Sequence, residues 1–374
     1  MEPYIITFTI SLFFAFLALR HYKRNLSLIS IIFISISIIV PALLAAGRTE
    51  EIGTDVNNYV VPIWNLTHTV DSSLLSTIFA IGYIEPGYIV INWLVAQFSD
   101  DIFWLLLIIQ LVILIPIYIG AFKLKKKLSP LWILFLYYCV IYNETLNLVR
   151  QSIALSFCFL ALSFLFDNKD KFFIIISVFA FFFHNSAILM FIIYLLYLFC
   201  IKGYVSKYRI LTYGIIGLGI FCVFSFSILI NIFVQYGLLK AKYLAFAEGT
   251  FDGHLSKVAF FFKIFSMLLV WWLTSKTRNI NSLLKKFFKF VAFYDVLFCL
   301  MGATVVYITR ISLYTQLVMF IILALLINGK QGVAKITSIK ILFFLSGLFY
   351  WYFAFVVSGV SETYPYKSIL FGIS

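Results

Sequence analysis

Long apolar runs separated by short polar connections fill almost the whole chain. Each run approaches the roughly 20 residues that an α-helix needs to cross a hydrocarbon layer about 30 Å thick. The pattern therefore predicts an all-α polytopic membrane protein that forms a single integral membrane domain, residues 1–374. We expect about 12 transmembrane helices, at residues 4–19, 26–46, 103–122, 130–142, 146–166, 172–200 (two spans, broken at 184–186), 210–233, 258–273, a span ending near 307, 311–326 and 341–357.

The basic residues orient these helices. Basic clusters such as 123–127 are separated by pairs of apolar runs, and cytoplasmic loops carry the excess of Lys and Arg in membrane proteins. The polar segment 47–101 is then predicted on the outer side, and residues 234–257 form a second outer loop. Within the polar segment, the run 87–98 rises only about 18 Å as a helix, which predicts a half-membrane or interfacial helix.

Composition narrows the class of protein. Hydrophobic residues make up 63% of the chain and charged residues 11%, whereas soluble domains are roughly one quarter charged. The net charge of +13 does not indicate a nucleic-acid partner, because the Lys and Arg residues lie in short clusters between apolar runs, where anionic lipid is the expected neighbour. The predicted partner is the lipid bilayer. No metal site or cofactor is expected, since the cysteines lack metal-ligand spacing.

Arg150 is the clearest candidate for chemistry, because a charge inside a membrane helix needs a partner, a wet cavity or a task. Helical spacing is predicted to place Asn147 and Gln151 on its face, and the alternative is an arginine that reaches the outer headgroups. Arg48 begins the polar segment, and Arg310 is predicted in an outer turn, where an ordinary loop charge is the alternative. Three guanidinium groups on one side suit phosphate, which they bind bidentately.

His184 and two carboxylates are the candidates for proton transfer. His184 interrupts an aromatic run, and its titration near neutrality suits a general base or a phosphate ligand. The alternative is a hydrogen-bonded structural histidine. Asp55 and Glu85 are the main acidic candidates. Either carboxylate could orient a sugar hydroxyl or pair with an arginine, and the sequence leaves these roles open.

Seven short motifs follow one another in the chain: G-R at 47–48, I-G-T-D-V-N-N-Y at 52–59, E-P-G-Y at 85–88, N-L-V-R-Q-S-I-A at 147–154, F-F-H-N-S-A at 182–187, R-I-S-L-Y at 310–314 and Y-P-Y-K at 364–367. In this order they resemble the EpsG-like, Wzy-type polysaccharide polymerases. The resemblance implies a GT-C-like fold and a glycosyltransferase of the bacterial inner (cytoplasmic) membrane, with its active site facing the periplasm. The outer segments 47–101 and 234–257 would then be periplasmic.

The resemblance also implies a reaction. An O-antigen or exopolysaccharide polymerase moves a glycan chain from undecaprenyl pyrophosphate onto the non-reducing sugar of a lipid-linked repeat unit, and its expected partners include a flippase and a chain-length regulator. On this hypothesis the pyrophosphate ligands are Arg48, Arg150 and Arg310, the catalytic candidates are His184, Asp55 and Glu85, and the further substrate contacts are Tyr59, Asn147, Gln151 and Tyr314.

Three alternatives are open. An O-antigen ligase uses the same donor and the same arginine and histidine chemistry, although the early motifs favour a polymerase. A transporter or flippase would carry charges along the whole membrane depth, whereas we expect the charges of this chain to gather at the outer end. A purely structural membrane protein would not explain why an arginine, Arg150, lies inside a predicted membrane helix.

Overall fold

The computed structural model describes residues 1–22, 27–69, 73–82, 84–207, 209–237, 256–277, 280–302, 306–328 and 337–373. These residues form two compact units. The first comprises Met1–Ile188 and Gly347–Ser374, and the second comprises Leu189–Ser346. Helices make up almost all of the described chain, and an isolated antiparallel bridge joins Ser368 to Ile373.

The first unit contains ten α-helices among its described residues. They are α1 Glu2–His21, α2 Leu28–Ala46, α3 Val61–Thr69, α4 Leu74–Ala80, α5 Pro86–Ala96, α6 Ile102–Lys123, α7 Pro130–Leu136, α8 Tyr142–Asn147, α9 Val149–Leu165 and α10 Asp170–Phe181. Shorter π or 3-10 helices lie at Val56–Val60, Leu124–Lys126, Tyr137–Ile141, Asn185–Ile188, Tyr352–Val357 and Val360–Glu362. Helix α9 is buried along most of its length and packs between α6 and α10.

The described part of the second unit is also helical. Its helices there are α11 Leu189–Ile201, α12 Tyr204–Lys207, α13 Arg209–Phe224, α14 Phe226–Gln235, α15 Lys257–Lys276, α16 Ser282–Met301, α17 Val306–Asn328 and α18 Thr337–Trp351, which continues into the first unit from Gly347. Helix α17 packs against α15 and α16. Its window Thr309–Ile327 is 83% buried, so α17 is the central helix of this unit.

Six helices of the described chain are long and apolar enough to cross a membrane. They are Glu2–His21, Leu28–Ala46, Ile102–Lys126, Lys257–Lys276, Thr309–Ile327 and Ser338–Val357, and shorter apolar helices lie at Pro86–Ala96, Val149–Leu165 and Asn185–Ile201. An all-α polytopic membrane protein is therefore confirmed. The total of 12 crossings and the GT-C-like arrangement stay predictions.

Hydroxyl groups join four segments inside the first unit. Ser11 of α1 and Ser37 of α2 each donate to the other's carbonyl oxygen over 2.6 Å. The Tyr118 and Tyr138 hydroxyls lie 2.8 and 2.6 Å from Ser11 Oγ. All four side chains are buried. Burial of apolar surface does little to drive the association of helices within a membrane, whereas small residues and interhelical hydrogen bonds stabilise helix–helix contacts there.

Local boundaries differ from the sequence predictions in two places. The predicted turn at 143–145 is helical and belongs to α8, and the chain instead breaks at Leu148. Arg310 lies inside α17 and not in a turn. Of the predicted loop 234–257, residues 238–255 lie outside the described chain, while α14 ends at Gln235 and α15 begins at Lys257.

Candidate functional site

A glycine in a left-handed backbone conformation turns the polar segment that follows α2. Gly53 has a φ of +89°, and a Cβ built there would lie 2.6 Å from the carbonyl oxygen of Leu146. Only glycine combines this backbone angle with so close an approach. The segment is therefore held against the end of α8. The π-helical turn that follows, Val56–Val60, is a type of irregularity that is frequent at functional sites.

Asp55 is held just before this turn by an amide from α8. Its backbone N–H donates to Asn147 Oδ1 over 2.9 Å. Asn147 is the last residue of α8, and Leu148, with φ −79° and ψ 59°, separates it from α9. The prediction that Asn147 and Arg150 share one helical face is therefore wrong. Asn147 holds Asp55, whereas Arg150 lies in the first turn of α9.

Arg150 contacts both a carboxylate and an aromatic ring. Its Nη1 donates to Glu85 Oε2, and its guanidinium carbon lies 4.6 Å from the centroid of the Tyr59 ring. Tyr88 extends this cluster, with its ring centroid 6.5 Å from that of Tyr59. The side chains of Arg150 and Glu85 are only 21% and 11% exposed, which strengthens their attraction relative to water. Three predicted site residues thus meet in one place.

The E-P-G-Y motif explains how Glu85 reaches Arg150. Glu85 is the N-cap residue of α5, and Pro86 takes the first helical position, where its missing N–H has no intrahelical partner to lose. The Gly87 N–H donates to the Phe182 carbonyl over 2.9 Å. A Cβ on Gly87 would lie 2.8 Å from that oxygen. The predicted short helix is present as Pro86–Ala96, and its start is pressed against the break between α10 and the next helix.

His184 lies in that break, two residues after Phe182. The Ser186 N–H donates to His184 Nδ1 over 3.2 Å, and Ser186 Oγ lies 2.6 Å from the same nitrogen. A ring nitrogen that accepts from an N–H carries no proton, so the proton of a neutral His184 is on Nε2. In this form Nε2 is the ring nitrogen that can donate a hydrogen bond. The predicted interruption of the apolar run at 184–186 is confirmed.

Arg48 is buried and holds the main chain. Only 7% of the residue is exposed. Its Nη1 donates to the Ala45 carbonyl, and its Nη2 donates to the Leu146 carbonyl over 3.2 Å. Burial lowers the pKa of the Arg48 guanidinium, although an arginine stays protonated in proteins. Arg48 therefore adds a fixed positive charge and secures the end of α8, next to Asn147.

The remaining predicted site residues are divided between the two units. Gln151 follows Arg150 in α9 and is buried. Arg310 and Tyr314 lie one turn apart on α17 of the second unit, where Arg310 is half-buried and Tyr314 is 1% exposed. The first unit thus brings together Arg150, Glu85 and Tyr59, with Asp55 and Asn147 beside them. A role for Arg310 in the same site stays a prediction.

Two residues that the sequence did not single out contact the polar segment and α8. The Thr54 hydroxyl donates to Glu362 Oε2 over 2.7 Å, and the Gly53 N–H donates to the Glu362 carbonyl over 3.2 Å. The neighbouring Ser361 hydroxyl donates to Glu144 Oε2 over 2.6 Å. The only signal for these residues was their position just before the Y-P-Y-K motif.

A buried ion pair in the second unit was also missed. Lys263 Nζ of α15 lies 2.8 Å from Asp295 Oδ1 of α16, and both side chains are 3% exposed. The Thr315 hydroxyl of α17 donates to the same oxygen over 2.7 Å. The expectation that charges gather at the outer end stays a prediction. Opposite charges in two apolar runs were the available signal.

Within the described ranges, no three His, Cys, Asp or Glu side chains are grouped so that they could hold a metal ion. The described cysteines, Cys139, Cys158, Cys200 and Cys299, are buried free thiols.

The chain was compared with protein families, curated proteins and solved structures. The model of the EpsG family matches residues 31–368, which is nearly the whole chain. The matched range includes the polar segment, the α8–α9 break, the His184 turn and the contacts of Ser361 and Glu362. No curated protein and no solved structure matches the chain.

Proposed function

Since the chain belongs to the EpsG family, we propose that this membrane protein is a polysaccharide polymerase of the bacterial inner membrane. In the proposed reaction, a glycan chain linked to undecaprenyl pyrophosphate is transferred to the non-reducing end of a lipid-linked repeat unit at the periplasmic face. The acceptor hydroxyl oxygen forms a bond to the anomeric carbon of the donor. The bond from that carbon to the pyrophosphate oxygen breaks, and undecaprenyl pyrophosphate leaves.

The contact of Arg150 with Glu85 and Tyr59 is the observation that carries this proposal. The leaving pyrophosphate gathers negative charge as the glycosidic bond breaks, and a preorganised cation stabilises that charge. Glu85 and the Tyr59 ring fix the plane of the Arg150 guanidinium before substrate binds. In this assignment Glu85 aligns the arginine, while the fixed charge of Arg48 supports it from within the protein. Arg310 is proposed as a further phosphate ligand.

We assign the proton transfers to Asp55 and His184. Asp55 accepts the proton of the acceptor hydroxyl, because its main chain is fixed by Asn147 and its half-buried carboxylate is the acidic group of the I-G-T-D motif. His184 donates a hydrogen bond from Nε2 to an oxygen of the leaving group, because its Nδ1 already accepts from Ser186. The remaining proposed sugar contacts are Tyr59, Gln151 and Tyr314.

Replacement of Arg150 with Lys tests the proposal. The variant keeps the charge but loses the planar fork and the stacking on Tyr59. We expect polymerisation to fall by about 10²–10³-fold, as for loss of one preorganised donor. Arg20→Lys is a matched control, because the exposed Arg20 also lies over an aromatic ring, with its guanidinium 4.8 Å from the Phe16 centroid.

The assay is complementation of a deletion strain, with membrane abundance checked by immunoblot and surface polysaccharide separated on gels. Normal polymer length with Arg150→Lys would remove Arg150 from the mechanism. The deletion itself separates the alternatives. Caps with a single repeat indicate a polymerase, free lipid-linked polymer indicates a ligase, and repeat units retained on the cytoplasmic side indicate a transporter.

A further inference from the structure

Residues 359–373, which we name the closing segment, bind the start of the polar segment, residues 47–54. The Thr49 N–H donates to the Lys367 carbonyl over 3.1 Å, and Lys367 Nζ lies 2.8 Å from Glu51 Oε2. Farther along, the Gly53 N–H and the Thr54 hydroxyl both donate to Glu362. The closing segment therefore contacts the polar segment at its start and again immediately before Asp55.

Two residues of the closing segment adopt a backbone conformation that non-glycine residues rarely take. Ser361 has a φ of 66° and Glu362 a φ of 50°. Such positions are unfavourable for residues with a Cβ, and they persist where the surrounding structure requires them. Here the conformation directs the Ser361 hydroxyl to Glu144 of α8 and the Glu362 carboxylate to Thr54.

Three consecutive residues of the polar segment are held by these partners and by α8. The Gly53 N–H and the Thr54 hydroxyl are bound by Glu362, and the Asp55 N–H is bound by Asn147. Glu362 and Asn147 thus fix the backbone that carries the Asp55 carboxylate.

We propose that Glu362 and Ser361 are positioning residues, which orient Asp55 through Thr54 and through the end of α8. The inference rests on the proposed function, in which Asp55 accepts the proton of the acceptor hydroxyl. Glu362 acts through its hydrogen bond to Thr54, and its negative charge is not required. Ser361 acts through Glu144, three residues before Asn147 on α8.

Other bonds anchor the closing segment without these two side chains. The Tyr4 hydroxyl donates to the Thr363 carbonyl over 2.6 Å, Asn143 Nδ2 donates to Thr363 Oγ1 over 2.8 Å, and the Tyr366 hydroxyl donates to the Leu44 carbonyl over 2.7 Å. Truncation of Ser361 or Glu362 therefore leaves the segment attached and changes mainly what it holds.

The test compares variants that keep or remove the hydrogen bond. Glu362→Gln keeps an acceptor for Thr54, whereas Glu362→Ala removes it. Thr54→Ser keeps the hydroxyl, and Thr54→Val removes it. In membranes supplied with lipid-linked repeat units, we expect the Ala and Val variants to lower kcat about tenfold with little change in KM. The Gln and Ser variants should retain near wild-type kcat.

Two variants of Ser361 distinguish the effect of its hydroxyl from the effect of its backbone conformation. Ser361→Gly removes the hydroxyl but favours the left-handed conformation, whereas Ser361→Ala removes the hydroxyl and keeps the unfavourable Cβ. Both should lower kcat if the bond to Glu144 matters. Normal kcat for both, or a loss confined to Ser361→Ala, would overturn the role of Ser361.

A second measurement tests the positioning of the polar segment without relying on enzyme turnover. Hydrogen–deuterium exchange of a peptide covering residues 53–58 should rise in Glu362→Ala and Thr54→Val and stay unchanged in Glu362→Gln. Inactive Glu362→Gln with normal exchange would overturn the inference, because the charge itself would then be needed. Unchanged exchange and unchanged kcat in Glu362→Ala would overturn it as well. A wild-type protein without polymerase activity, but with the expected exchange pattern, would instead overturn only the proposed function.

Discussion

Loss of the Lys263 ammonium group should destabilise the second unit, and the structure sets the size of the effect. In Lys263→Met the side chain keeps its approximate length, while Asp295 loses an ion-pair partner that lies 2.8 Å away. The Thr315 hydroxyl remains as a donor to the same carboxylate oxygen. Because both charged side chains are 3% exposed, water cannot readily replace the lost ammonium group.

Two contributions set the expected loss of unfolding free energy. Removal of one partner from a buried ion pair costs about 3–5 kcal/mol. The hydrogen bond from Thr315 offsets about 1 kcal/mol. We therefore expect a loss of about 3 kcal/mol, or a Tm lowered by about 6–12 °C at roughly 2–4 °C per kcal/mol.

Thermal unfolding of the purified protein in detergent measures this loss. Lys257→Met is the matched control, because Lys257 is exposed at the start of the same helix, α15. The double variant Lys263→Met/Asp295→Leu should recover most of the Tm, since it leaves no buried charge. A single variant that melts with the wild type at pH 7 would refute this reasoning.

Two further substitutions test the site and the loops. In Gly87→Ala, the added Cβ would lie 2.8 Å from the Phe182 carbonyl oxygen. Helix α5 must therefore shift, and polymer length in the gel assay should fall. Gly82→Ala is the control, because the nearest atom to its added Cβ lies at 3.4 Å, and it should give the same polymer length as the wild type. Hydrogen bonds from Lys123 and Lys127 lower the pKa of Asp167 to about 2. The resulting stabilisation is present above pH 4 and is lost as the pH falls through about 2. The Tm difference between wild type and Asp167→Asn should therefore be small, constant from pH 5 to 8, and largely lost near pH 2.

The membrane helices could be predicted from the length of the apolar runs, because an apolar run long enough to cross a membrane has few other stable structures. The predicted spans 4–19 and 103–122 lie within Glu2–His21 and Ile102–Lys123. The short helix after Pro86 and the interruption at His184 were also found, since proline and a polar triplet mark such boundaries locally.

The errors arose where distant residues decide the local structure. Asn143 looked like part of a turn, but its amide donates to Thr363 and accepts from Trp351, more than 200 positions away, and it lies in a helix. The contact of the Arg48 guanidinium with the Leu146 carbonyl was not predicted either, while its role as a pyrophosphate ligand stays a prediction. Lys263 and Asp295 lie in separate apolar runs, and only the packing of α15 on α16 brings them together. None of these partners is near in sequence, so no local pattern could reveal them.

The hydrogen bond between Tyr4 and Thr363 joins residues 359 positions apart, so it can form only late in synthesis of the chain. At roughly 5–20 residues per second, the ribosome adds Thr363 roughly 10–40 s after Arg150. Throughout that interval the nascent chain can insert its helices, but Thr54 has no Glu362 to bind. The polar segment therefore gains its final contacts only when residues 359–373 emerge. A ribosome that stops before them would leave an inserted bundle of helices in which Asp55 is held by α8 alone.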